Sequence, residues 1–233
     1  MKLLFLDTET TGNDVAKDRL SQVCYKTADE LVTEYFKPPL PISVKSMSIT
    51  HITNKMVEDK PVFKEDPLFQ TLQKLLDDHV LVAHNAKFDK AILEAEGLSV
   101  PTHICTLRLA RALDEAGIIP EYNLQFLRYY LDLDIEGTAH DAEGDVLVLE
   151  ALFNRLYEKM QKEMPEAKIL PKMIEISNTP SLIKKFSFGK HKDKTLEEVA
   201  REDRGYLEWL LSQKKQSEDD DEDWLYTLEH YLK

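Results

Sequence analysis

The run Leu3-Leu4-Phe5-Leu6 is apolar at every position and stops abruptly at Asp7. A strand covered on one face alternates apolar and polar residues, whereas one covered on both faces does not, so this run predicts a central strand. Gly12-Asn13-Asp14 supplies a turn after it. Gln22 to Lys26 and Leu31 to Phe36 flank the short polar stretch Thr27-Ala28-Asp29-Glu30, the pattern of a hairpin. Pro38-Pro39-Leu40-Pro41 must be irregular, because proline has no amide proton for a ladder or a helix. A helical pattern from Phe69 to about Asp77 precedes the apolar strand Val80 to Ala83. The chain then alternates: a helix near Asp89 to Glu96, a strand near His103 to Cys105, and helices near Thr106 to Leu113 and Leu124 to Leu131. The longest helix should run from near His140 to near Lys162, since Val146, Leu149, Leu152, Phe153, Leu156, Tyr157 and Met160 recur at three- and four-residue spacing.

A hairpin followed by alternating strands and helices implies an α/β fold, a mixed sheet covered by helices. Met164-Pro165 ends the long helix, giving a first domain over residues 1–165. Prolines at 165, 171 and 180 mark residues 166–180 as a linker. Residues 181–233 form a small second unit: a strand-like Phe186-Ser187-Phe188, a turn at Gly189, a helix from Thr195 and a last amphipathic helix from about Trp224.

Composition narrows the function. The apolar N-terminal run is too short to span a membrane and lacks a signal cleavage site, which points to a cytoplasmic protein with no membrane partner. Cys24 and Cys105 have no metal or redox spacing and read as reduced structural thiols. The net charge of -13 has the wrong sign for a simple phosphate binder. Its distribution is uneven. Residues 1–165 carry -10 and residues 166–233 carry -3, and the latter would be +3 without the run Glu218-Asp219-Asp220-Asp221-Glu222-Asp223. Lys184 to Lys194 holds five lysines and one aspartate. An acidic chain can act on phosphodiesters if divalent cations neutralise its carboxylates and basic residues are local.

Three segments supply the acids. Asp7 and Glu9 stand two residues apart after the apolar run, so the strand period puts both carboxylates on one face, where the pair calls for a cation. Asp89 follows the strand Val80 to Ala83 at the opening of a helix; a helix cap and a metal ligand are equally good readings of it. Asp145 shares the stripe of Ala142, Leu149 and Leu152 on the long helix, and a charge on that face needs a cation or a tight hydrogen-bond network. Sites rich in oxygen ligands select Mg²⁺ and Mn²⁺. Two such ions about 3.5–4 Å apart can clamp the attacking and leaving oxygens of a phosphoryl displacement. His140, five residues before Asp145, suits deprotonation of a water at neutral pH, a role that depends on the carboxylates beside it.

Asp7-Thr8-Glu9-Thr10-Thr11-Gly12, His84-Asn85-Ala86-Lys87-Phe88-Asp89 and His140-x4-Asp145 resemble, in order and spacing, the three motifs of the DEDDh exonuclease superfamily. That resemblance implies a ribonuclease-H-like fold. It also implies a two-metal 3'→5' exonuclease in which Asp7, Glu9, Asp89 and Asp145 hold Mg²⁺ or Mn²⁺ and His140 is the general base. Thr8, His51 and Asn85 match positions that hold the 3'-terminal nucleotide. Asn13 departs from the hydrophobic residue common in relatives after Gly12. The tail, from Phe186-Ser187-Phe188-Gly189-Lys190-His191-Lys192 to Gly205-Tyr206-Leu207-Glu208-Trp209-Leu210, resembles the accessory region of the exodeoxyribonuclease X group, with Asp193 in place of a usual glycine. Lys190 and Lys192 could follow a phosphate backbone or merely solvate the surface, and Phe186 and Phe188 suit a small core better than stacking on bases. The expected substrate is the 3' end of DNA, single-stranded or duplex, with a role in repair implied by the resemblance. The alternatives are RNA, as for ribonuclease T or oligoribonuclease, and a non-catalytic adaptor for nucleic acid or a polymerase.

Overall fold

The computed structural model describes residues 1–133, 135, 142–216 and 222–233. Strand β1, Lys2–Thr10, runs well past the apolar tetrad, so Asp7 and Glu9 lie inside it. The expected hairpin, β2 (Leu20–Lys26) and β3 (Leu31–Tyr35), pairs antiparallel on one side of β1. On the other side β4 (His79–Ala83) and β5 (His103–Cys105) run parallel. The order β3-β2-β1-β4-β5 is that of a mixed five-stranded sheet in a ribonuclease-H-like exonuclease fold.

Both faces are covered. The short helices α1 (Val44–Thr50) and α2 (Asn54–Val57) follow the proline-rich stretch. Helices α3 (Pro67–Asp78) and α4 (Ala86–Ala95) bring Leu72, Leu76, Ile92 and Leu93 against Leu4 and Leu6. Phe5 points the other way and packs in one cluster with Leu109, Leu127, Val146, Leu149 and Phe153. These residues come from α5 (Thr106–Leu113), α6 (Leu124–Tyr130) and α7 (Ala142–Gln161). Phe5 and Phe153 meet edge to face at 5.4 Å. Leu4 and Leu6 are wholly inaccessible, and each such burial is worth roughly 1.5–3 kcal/mol.

Residues 166–180 are not a free linker. Glu166–Ser177 form helix α8, whose Ile169 and Met173 enter the same core as Phe5. Pro171 sits inside this helix on an exposed position, so the carbonyl that lacks its amide partner can turn to water. The prolines masked an apolar helical stripe.

Phe186-Ser187-Phe188 is likewise not a strand. A single antiparallel bridge, Lys185 to Thr195, closes the turn at Gly189, which has φ 70. Helices α9 (Leu196–Glu202), α10 (Arg204–Gln216) and α11 (Glu222–Tyr231) then enclose Phe186, Leu207, Trp224 and Leu228. Thr195 and Glu198 form a capping box that starts α9. Cys24 and Cys105 are buried cysteines that form no disulfide, and among the described residues no helix is long and apolar enough to cross a membrane.

Candidate active site

The pairing of β1 explains where the acids can gather. β4 pairs with β1 only as far as Phe5, while β2 accompanies it to Thr10. Asp7, Thr8 and Glu9 therefore project beyond the carboxyl end of β4, where open α/β sheets place their ligand sites. The odd-numbered positions face the side of the sheet that α7 covers, which sets Asp7 and Glu9 toward the first turn of α7 and its Asp145.

Asp89 fills the edge that β4 vacates. Its Oδ1 accepts from the Thr8 amide at 3.1 Å and from the Thr8 hydroxyl at 2.7 Å. Asn85, with φ 62, stands at the N-cap of α4, so Asp89 is not the cap; it lies within the first turn with 4% of its surface exposed. Asp145 is half-buried and accepts a short hydrogen bond from the Gln125 amide nitrogen of α6. The turn after β1 is fixed by Asp18, whose carboxylate accepts from the Thr11 hydroxyl at 2.7 Å and from the Asp14 amide at 2.8 Å. A Cβ at Gly12 would meet that carboxylate at 2.5 Å, which is why glycine ends the first motif.

The electrostatics show how closely the four acids interact. Burial, then Asp89, Glu9 and Asp145 in that order, pushes the Asp7 carboxyl well above its usual range. Glu9 is raised to about 7 by burial, then by Asp145 and Asp89. Asp89 is also raised to about 7, by burial opposed by its bonds from Thr8. Like charges held out of water favour either protonation or a nearby cation. The donor set, carboxylates alone, fits a hard divalent ion such as Mg²⁺ or Mn²⁺. Among the described residues no three acid, histidine or cysteine side chains form a ready-made metal cage, and Asp89 and Asp145 are turned to protein donors.

His140 lies outside the described residues. Thr8 is buried with its hydroxyl committed to Asp89. Asn85 is exposed at the mouth of α4. His51 is an exposed C-cap of α1 with φ 58, on a helix whose Ser46 hydroxyl donates to the Thr10 carbonyl at 2.5 Å. Lys190 is tied to Asp203 at 2.6 Å and lies over the Tyr206 ring, while Lys192 is exposed. Phe186 is a core residue and Phe188 packs its edge on Trp224.

Two residues escaped the sequence pattern. Gln125 touches a carboxylate twenty positions away, and nothing local in Leu124-Gln125-Phe126 signals it. His84 is half-buried, with Nδ1 2.9 Å from the Thr106 hydroxyl and Nε2 2.7 Å from the Tyr122 carbonyl. Burial lowers it to about 4, so it stays neutral and braces the turn into Asn85. Its place beside Asn85 was its one sequence signal.

Residues 4–153 match the family described as exonuclease, and residues 186–215 match the exodeoxyribonuclease X-like C-terminal family. The chain belongs to the exonuclease family. It is 31% identical to exodeoxyribonuclease 10 of Escherichia coli K12, over 99% of this chain and 98% of that protein. It is 33% identical to the PolC-type DNA polymerase III of Thermotoga maritima over 67% of this chain, a match that spans 12% of the polymerase. A structure of exonuclease X with 5'-overhanging duplex DNA superposes with a TM-score of 0.60, covering 76% of this chain and 99% of that one at 24% identity. Escherichia coli exonuclease I with single-stranded DNA gives 0.57, over 73% and 44%, at 21% identity. This exonuclease is thus a 3'→5' enzyme of DEDDh type that hydrolyses phosphodiesters, in a family that is typically metal-dependent.

Proposed function

We propose that the protein removes nucleoside 5'-monophosphates from the 3' ends of DNA, in the service of DNA repair. The observation that carries this reading is the convergence of Asp7, Glu9, Asp89 and Asp145 at the open end of β1, where burial and the charges of Asp89, Glu9 and Asp145 raise the proton affinity of Asp7, and burial with Asp145 and Asp89 raises that of Glu9. The choice of DNA rests on similarity to exodeoxyribonuclease 10 along nearly the whole of both chains, including the C-terminal unit. Asp7, Glu9, Asp89 and Asp145 would hold two divalent cations, Mg²⁺ or Mn²⁺, which when bound lower the pKa of water and offset charge on the phosphate. Thr8 holds Asp89 in place, Gln125 holds Asp145, and His140 takes the proton of the attacking water. Asn85 and His51 lie on the flanking turns as contacts for the terminal nucleotide, and Lys192 as a contact for a phosphate further along.

Matched DNA and RNA oligomers with a labelled 5' end, incubated with Mg²⁺ or Mn²⁺, test the proposal. DNA should shorten from its 3' end with mononucleotide release. A strong preference for RNA would overturn the choice of substrate, and no release from any 3' end would favour the adaptor reading.

A further inference from the structure

A cleft of about 1040 Å³ separates α4 and α5 from the C-terminal unit. In a chain of net charge -13 its walls carry Lys87, Lys90, Arg108, Arg111, Lys184 and Lys185 against four acids. Asn85, the N-cap of α4 four residues before Asp89, also lines the cleft.

Two of its acids differ in kind. Asp223, with a side chain 15% exposed, accepts from the Ser181 amide and hydroxyl and pairs with Arg111 at 2.5 Å and Arg108 at 3.2 Å. It is a structural latch. Glu222, 39% exposed at the first turn of α11, places Oε2 2.8 Å from an Arg108 nitrogen and 3.3 Å from the Lys87 nitrogen. One carboxylate oxygen between a guanidinium and an ammonium is the coordination a phosphate oxygen would receive.

We propose that this cleft is a track for the phosphodiester backbone of the substrate strand, and that the Glu222 carboxylate occupies one phosphate seat of that track. The inference rests on the function proposed above. When a backbone phosphate takes the seat, Lys87 and Arg108 exchange one counter-charge for another and Glu222 turns to water, while the bonds of Asp223 keep α11 docked. Lys90 and the exposed Lys185 extend the positive wall on either side, which suits a polyanion better than a single ion.

The test compares affinities for a long and a very short oligomer, about 20 and 3 nucleotides, measured with Ca²⁺ in place of the catalytic metal. The read-out is the ratio of the two Kd values. Glu222→Gln removes the competing charge and should tighten the long oligomer about 3- to 10-fold relative to the short one, the weight of roughly one phosphate contact. Lys87→Gln and, separately, Lys185→Gln should move the ratio the opposite way and lower the salt slope by roughly one each. A ratio that stays put, or moves in one direction for all three variants, overturns the track. Inorganic phosphate should compete equally weakly with wild type and with Glu222→Gln; selective competition with the variant would mark a single-ion site and also overturn the track. Wild-type cleavage of the trimer with Mg²⁺ separates the two ideas, because loss of the track leaves that reaction standing and failure of the exonuclease reading does not.

Discussion

Asp89 is the least accessible residue of the four acids, and Thr8 on β1 gives its carboxylate two hydrogen bonds. The helical stripe around Asp145 suggested the opposite ranking, yet Asp145 is half-buried and rests on Gln125. At this scale the burial of the acids, joined for Glu9 by repulsion from Asp145 and Asp89, has a measurable sign. Glu9 and Asp89, each raised to about 7, stay protonated in the folded protein at pH values where the unfolded chain has already ionised them. They therefore lower stability progressively as pH rises from about 4 to about 7, after which the effect levels off. Thermal melts in chelator should show Tm falling through that window, and added Mg²⁺ should restore more at pH 8 than at pH 5. Asp7→Asn should raise the metal-free Tm at pH 8, shrink the Mg²⁺-induced rise and cut turnover at least roughly 100-fold, the scale of losing one electrostatic catalytic group. A variant with normal turnover would remove Asp7 from the site.

At the scale of elements, α8 holds the edge of the sheet. The Ser177 hydroxyl, wholly buried, accepts from the Cys105 amide at 2.7 Å and donates to the Met173 carbonyl at 2.7 Å, so it seals the end of β5. Ser177→Ala leaves a buried amide without its acceptor and should cost about 1–3 kcal/mol in urea unfolding. Mn²⁺ affinity should not change, because the residue lies outside the carboxylate cluster. This helix was hidden in the sequence by Pro165, Pro171 and Pro180, although Ile169 and Met173 carry its spacing. Proline inside a helix loses one hydrogen bond and crowds a carbonyl one turn back, but Pro171 is exposed, so that carbonyl reaches water while Ile169 and Met173 are buried on the core face. The strands, by contrast, were legible from Leu3-Leu4-Phe5-Leu6 and Val80 to Ala83, because burial on both faces leaves little choice but apolar residues.

For the whole molecule, the C-terminal unit is tied to the sheet domain through Arg108 and Arg111 to Asp223, and through the Lys184 ammonium, which donates to the Asp114 carbonyl. Asp223→Ala would take from Arg111 its 2.5 Å carboxylate partner, while Arg108 keeps Glu222, and should destabilise by up to roughly 3–5 kcal/mol, the range for breaking a buried ion pair. Hydrogen exchange is the suitable measure. Amides of α9, α10 and α11 should lose protection while those of β1 and β4 keep it. Equal loss everywhere would mean that the two parts unfold as one unit.

The α/β class, the hairpin and the mixed sheet follow from the sequence, because each is a matter of period or local spacing; period also singles out Asp7, Glu9 and Asp145, whereas Asp89 is singled out by the resemblance of its motif. Tertiary structure alone decided what surrounds those acids. That β4 stops at Phe5, that Asp89 takes the Thr8 amide in the gap, and that Gln125 and Glu222 each meet charges far away in the chain are contacts across 20 to 135 positions. No periodicity encodes such contacts, since each depends on where two separately legible elements happen to pack.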